Sequence, residues 1–162
     1  MMKKFINVVG ANVVGANVVG ANVVGANVVV HTLFFDGCSK GNPGKAGAGA
    51  VLFKNQEEIW SKAHFVGMKE TNNSAEYMGL IIGLEEAVKQ RLSPLLVKGD
   101  SLLVIKQMQG VYKVNAPHLI PLHQRASALV KQLGSSVEFQ HVYRALNKRA
   151  DALSNEALMG YI

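Results

Sequence analysis

Cysteine occurs once in this chain, at Cys38, so no intramolecular disulfide is possible. That scarcity suits a reducing compartment, and the expected location is the cytoplasm, or the nucleus in a eukaryote. No basic partner for a catalytic thiol is evident beside Cys38, which therefore reads as a small turn residue. Acidic residues are also few, 11 against 17 Lys and Arg; the net charge of +6 favours an anionic partner. Aspartate is the scarcest of them, with three residues in 162. Asp is ordinarily a common turn and surface residue. Here each one heads a separate motif: Phe34-Phe35-Asp36-Gly37, Val97-Lys98-Gly99-Asp100-Ser101 and Asn147-Lys148-Arg149-Ala150-Asp151-Ala152-Leu153. With Glu76 in Thr71-Asn72-Asn73-Ser74-Ala75-Glu76, four acids from four segments become candidates for one site. Length and an apolar content of 49% are those of one domain with a real core.

The N-terminal region lacks charge altogether from Phe5 to Phe35 when His31 is neutral. Residues 7–26 are four copies of Asn-Val-Val-Gly-Ala, followed by Asn-Val-Val-Val. Deleting four copies leaves Met1 to Val9 running directly into Val30-His31, so a tandem expansion in the lead-in to the first strand is the simplest origin. A membrane span is disfavoured by an Asn every fifth residue and by the run straight into Asp36. A signal peptide lacks room for a cleavage site clear of that strand. A β-helix built from four pentapeptides would be a lone coil with nothing to stack on. Val-Val pairs favour extended chain, and an odd period turns successive copies to opposite faces. The expectation is an extended β-arm or hairpin over residues 1–27 that pairs between chains, followed by the catalytic domain over 28–162. Without Lys, Arg, Trp or Tyr the repeat has no means of gripping nucleic acid.

Periodicity sets out the rest. Val28 to Phe35 reads as a strand ending at Asp36, and Ala46 to Phe53 and Glu58 to Val66 complete an antiparallel meander. Helical spacing runs over Ser74 to Arg91, capped by Ser74 or Asn73. Pro94 to Gly99 is a strand parallel to the first. Asp100-Ser101 opens a helix to Met108, Pro117 to Leu133 is another, Ser136 to Val142 a fifth strand and Asn147 to Met159 a last helix. The expected fold is α/β: a mixed five-stranded sheet, three strands antiparallel and two parallel, flanked by helices. In such sheets ligands sit beyond the carboxyl ends of adjacent strands. Asp36 and Asp100 fall there, and Glu76 and Asp151 fall in first turns of helices. Two like charges about 4 Å apart repel by roughly 4 kcal/mol at an effective dielectric of 20. Convergence therefore calls for raised pKa values or divalent cations, and oxygen ligands select Mg²⁺ or Mn²⁺. Taken singly, each acid near a helix start also suits a cap or dipole partner.

Asp36-Gly37-Cys38-Ser39-Lys40-Gly41-Asn42-Pro43-Gly44, the Thr71 to Glu76 segment, Lys98-Gly99-Asp100-Ser101 and Asn147 to Leu153 resemble the motifs of type 1 ribonuclease H and its reverse-transcriptase-like, plant and archaeal relatives, over Thr32 to Leu158. The resemblance implies hydrolysis of the RNA strand of an RNA–DNA hybrid by two Mg²⁺ ions, with Mn²⁺ as substitute, leaving 5′-phosphate and 3′-hydroxyl ends. It implies Asp36, Glu76, Asp100 and Asp151 as metal ligands, and Asn42, Asn72 and Asn73 as contacts to the RNA strand. Lys69 and Thr71 match positions that bind a DNA-strand phosphate, with Asn115 beside them. Turn formation at Asn42 and helix capping at Asn72 and Asn73 are the plain structural readings of those residues.

Two features depart from the family. The segment Gln109 to Pro117 is short and holds one Lys where some relatives carry a long basic helix and loop. Before Asp151, Arg144 stands where many relatives have a loop histidine. Arginine stays protonated and contacts phosphate rather than acting as a base, and His141 reads as part of the fifth strand. His31, His64, His118 and His123 receive no role. The alternatives to a free-standing enzyme are a domain from a retroelement polyprotein and an inactive hybrid-binding or assembly module.

Overall fold

A computed structural model describes residues 28–161. The 1–27 lead-in, with the repeat and the expected β-arm, lies outside them. The first strand, β1 (His31–Lys40), is followed by β2 (Gly44–Lys54) and β3 (Glu57–Glu70) in an antiparallel meander. Helix α1 (Asn72–Gln90) then crosses to β4 (Leu95–Gly99), which lies parallel to β1. Helices α2 (Leu102–Met108) and α3 (Ile120–Leu133) lead to β5 (Val137–His141), parallel to β4. A 3₁₀ turn (Arg144–Leu146) precedes α4 (Lys148–Glu156). The sheet order is β3-β2-β1-β4-β5, the expected mixed sheet. No described helix is long and apolar enough to cross a membrane.

Strand alternation divides the core between the two faces. Leu33 and Phe35 pack with Leu80, Ile81 and Leu84 of α1 and Val97 of β4. Phe34 faces the other way, with Val51 and Phe53, under Ala150 and Leu153 of α4. Glycines set how close the helices come. A Cβ on Gly37 would lie 2.2 Å from the Ala75 carbonyl carbon, and one on Gly79 would lie 2.4 Å from the Asp36 oxygen. Across the sheet, a Cβ on Gly47 would meet the Ser154 oxygen at 2.3 Å and one on Gly49 the Ala150 oxygen at 2.5 Å. Helix and strand backbones therefore touch beside the motifs that carry Asp36 and Asp151.

Several boundaries differ from expectation. Val28 to Val30 precede β1, and Asp36 lies inside it, because β2 continues to pair as far as the Lys40–Lys45 rung. The cap of α1 is Thr71, whose Oγ1 accepts a hydrogen bond from the Ser74 N–H at 3.1 Å. Helix α3 begins at Ile120 rather than Pro117. A buried polar link ties the helices together: the Tyr77 hydroxyl donates to Gln107 Oε1 at 2.6 Å, and His123 Nε2 lies 3.3 Å from the Gln107 carbonyl.

Candidate active site

The parallel ladder between β1 and β4 ends at the Phe35–Gly99 rung. Beyond that rung the two strands diverge and present Asp36 and Asp100. Gly37 and Gly79 hold α1 against β1, and that contact brings Glu76 to the same point. Carboxylate oxygens of Asp36, Glu76 and Asp100 all lie within 4.8 Å of one another. Asp151, in the first turn of α4, faces the same cleft, a cavity of about 410 Å³ that also takes in Asn72, Asn73, His141 and Arg144. The trio is thus tight, and Asp151 joins it from the rim. Ser154 bridges the two sides: its hydroxyl lies 3.3 Å from Asp36 Oδ2 and 2.8 Å from the Asp151 carbonyl.

These groups strain one another electrostatically. Burial, the facing Asp100 carboxylate and the Asp151 side chain push Asp36 up to about 7, against a pull downward from the Gly37 N–H. Burial, then the charges of Asp36 and Asp100, hold Glu76 well above the usual carboxylate range. Glu76 Oε1 is buried with no hydrogen-bond partner. A buried acceptor without a donor beside two more carboxylates is the donor set of a hard divalent cation, which supplies the missing positive charge.

The asparagines form a second layer. Asn42 is in the turn between β1 and β2, at φ 33°, a left-handed conformation that Asn tolerates. Its Oδ1 accepts from the Asn72 N–H at 2.9 Å, while Asn72 Oδ1 accepts from the Ser39 N–H at 2.7 Å. The turn and the start of α1 are thereby locked together, with Asn72 and Asn73 on the cleft wall. Lys69 and Thr71 line a separate depression with Ser74 and His118, whose Nε2 lies 3.3 Å from Thr71 Oγ1. Asn115 lines neither cavity. Arg144 is exposed and 4.0 Å from Asp151.

Sequence reasoning passed over five of these residues. His141 closes β5 at the Gly99 rung and so reaches the cleft, its ring edge-on to Tyr143 at 5.6 Å. His118 belongs to the depression, Ser154 to the carboxylate bridge, and Gly37 and Gly79 to the helix–strand contact. Only the glycines left a sequence signal, one within the Asp36 motif and one three residues after Glu76.

The fold and the carboxylate cluster define a ribonuclease-H-like α/β domain with a centre suited to divalent cations. The family model that matches, over residues 34–157, is described as reverse transcriptase-like. Among curated proteins the chain is 42% identical over 131 residues to a bifunctional protein of Mycobacterium tuberculosis, covering 76% of this chain and 34% of that protein. It is 42% identical over 125 residues to ribonuclease HI of Halobacterium salinarum, covering 77% and 62% respectively. Among solved structures, the N-terminal RNase H domain of the M. tuberculosis protein superposes with a TM-score of 0.77 at 40% identity, covering 82% of this chain and 96% of that one. LC11-RNase H1, isolated from compost, was solved in complex with an RNA/DNA hybrid. It superposes at 0.74 with 35% identity, covering 78% and 95%. The chain belongs to the reverse transcriptase-like family and carries its ribonuclease-H-like domain. It spans about a third of the length of the mycobacterial relatives it matches.

Proposed function

We propose that this chain is an endonuclease that hydrolyses the RNA strand of RNA–DNA hybrids, leaving 5′-phosphate and 3′-hydroxyl ends. The observation that carries the reading is the meeting of Asp36, Glu76 and Asp100 within 4.8 Å, from β1, α1 and the loop after β4. Kinship with an RNase H1 that was solved on a hybrid supports the substrate. Asp36, Glu76, Asp100 and Asp151 would hold two Mg²⁺ ions, with Mn²⁺ as substitute. Such ions supply an activated water and charge stabilisation at the leaving 3′-oxygen.

The remaining roles fall to the chain's own side chains. Asn72 and Asn73 on the cleft wall, with Asn42 fastened behind them, offer both donors and acceptors to a 2′-hydroxyl and base edges, the features that separate RNA from DNA. Lys69 and Thr71 in the neighbouring depression hold a phosphate of the DNA strand, and Asn115 adds a contact further along it. Arg144 beside Asp151 meets a phosphate oxygen of the RNA strand and takes no part as a base.

The test is cleavage of a labelled hybrid in Mg²⁺, beside duplex RNA, duplex DNA and an Asp100→Asn variant. Cutting of the hybrid's RNA strand alone, lost in the variant, is the expected result. Absence of cutting by folded wild-type protein refutes the activity. The odd-period repeat supports a second proposal, self-association through residues 7–26. Removing them is expected to lower the number of chains per particle found by light scattering, and an unchanged number refutes it.

A further inference from the structure

Asn147 is 1% exposed, and its Nδ2 donates to the Phe35 carbonyl at 2.9 Å, across 112 positions of sequence. Phe35 sits on the last β1–β4 rung, immediately before Asp36. The other two polar groups of Asn147's backbone reach further members of the site. Its N–H donates to the Arg144 carbonyl at 3.0 Å, closing the 3₁₀ turn, and its carbonyl accepts from the Asp151 N–H at 3.0 Å, opening α4. One residue thus ties the strand bearing Asp36, the turn bearing Arg144 and the helix bearing Asp151.

Its side chain is also poorly served. Asn147 Oδ1 is buried and has no hydrogen-bond partner. A buried acceptor left unpaired works against stability and offsets part of what the Nδ2 donor contributes. The net gain in stability from the amide is therefore small, whereas its geometry is specific: its donor fixes the Phe35 carbonyl where β1 and β4 part. We infer that Asn147 is a positioning residue that sets Asp36 and Asp151 relative to each other and, through them, the affinity of the cleft for divalent cations. The inference rests on the reading above that these carboxylates hold the cations.

The experiment uses the full chain and two readouts, Mn²⁺ binding by calorimetry and hybrid cleavage, each with a thermal melt in chelator. Asn147→Leu keeps the branched shape of the side chain and removes the donor. It is expected to melt modestly lower than wild type, because the Phe35 carbonyl loses its donor, while losing about tenfold in Mn²⁺ affinity and between about ten- and a hundredfold in kcat, the scale seen when a residue orienting a metal ligand is lost. KM for the hybrid stays unchanged, and Asn147→Ser, which retains a hydroxyl donor, recovers part of both losses. Leu133→Ala, in the core at the far end of α3, lowers the melt without moving Mn²⁺ affinity. Mn²⁺ affinity and kcat of Asn147→Leu within about twofold of wild type overturn the inference. If that variant does not fold, Asn147→Ala, read per folded molecule, decides on the same criteria. Wild-type protein that binds Mn²⁺ but cuts no hybrid removes the proposed activity and leaves this inference to the calorimetry. Wild-type protein that binds no Mn²⁺ overturns both.

Discussion

Asp36→Asn should stabilise the metal-free protein at pH 8 while destroying its metal site. Asp36 is 5% exposed, and its carboxyl is raised from 3.8 to about 7 by burial and by Asp100. A rise of that size corresponds to about 4 kcal/mol against the ionised fold, at about 1.36 kcal/mol per unit. Loss of the Ser154 contact to Asp36 Oδ2 takes back about 1 kcal/mol, leaving a net gain of about 3 kcal/mol. The sign follows from proton binding. Between about pH 4 and 7 the folded state retains a proton that the unfolded chain has released, so wild-type stability falls as pH rises through that window and levels off above it. The variant loses this contribution and retains the fall due to Glu76, itself eased because the Asp36 charge is gone. Urea unfolding in chelator at pH 5 and pH 8 reads the effect, with the variant's advantage present at pH 8 and small at pH 5. Adding Mn²⁺ reverses the order, because the cation binds only the wild-type fold tightly. An equal difference between the two proteins at both pH values in chelator would refute the electrostatic account.

Other perturbations address separate parts of the molecule. Gly79→Ala drives a Cβ to 2.4 Å from the Asp36 carbonyl oxygen, and a thermal melt should show a loss of about 1–3 kcal/mol together with weaker Mn²⁺ binding. Arg144→Ala lowers turnover with Mn²⁺ affinity retained, since this exposed side chain stands 4.0 Å from Asp151 and outside the trio; unchanged turnover removes its role. Tyr77→Phe leaves Gln107 Oε1 buried without its donor and should cost about 1–3 kcal/mol in urea unfolding, with hybrid cleavage per folded molecule unaffected.

The amino-acid sequence by itself determined the order of elements, the mixed sheet and which four carboxylates head the motifs that line one cleft, because each of those signals is local. The switch from period two to helical spacing after Glu70 and the compact motifs around Asp36, Glu76, Asp100 and Asp151 each lie within a few residues. The lock between Asn42 and Asn72 was legible only as two separate polar residues, since the hydrogen bond between them spans 30 positions. Tertiary structure decided the rest. Asp36 lies within β1 rather than at its end because β2 goes on pairing past it, a property of the partner strand. Asp100 and Glu76 close on Asp36 while Asp151 stays at the rim because glycine-mediated backbone contacts, not side-chain pattern, set where α1 and α4 rest on the sheet. His141 reaches the cleft by register with Gly99, and Asn147 clamps Phe35 across 112 positions. Such long-range contacts leave no local period or propensity to read, so these residues gain their meaning only when the chain is folded.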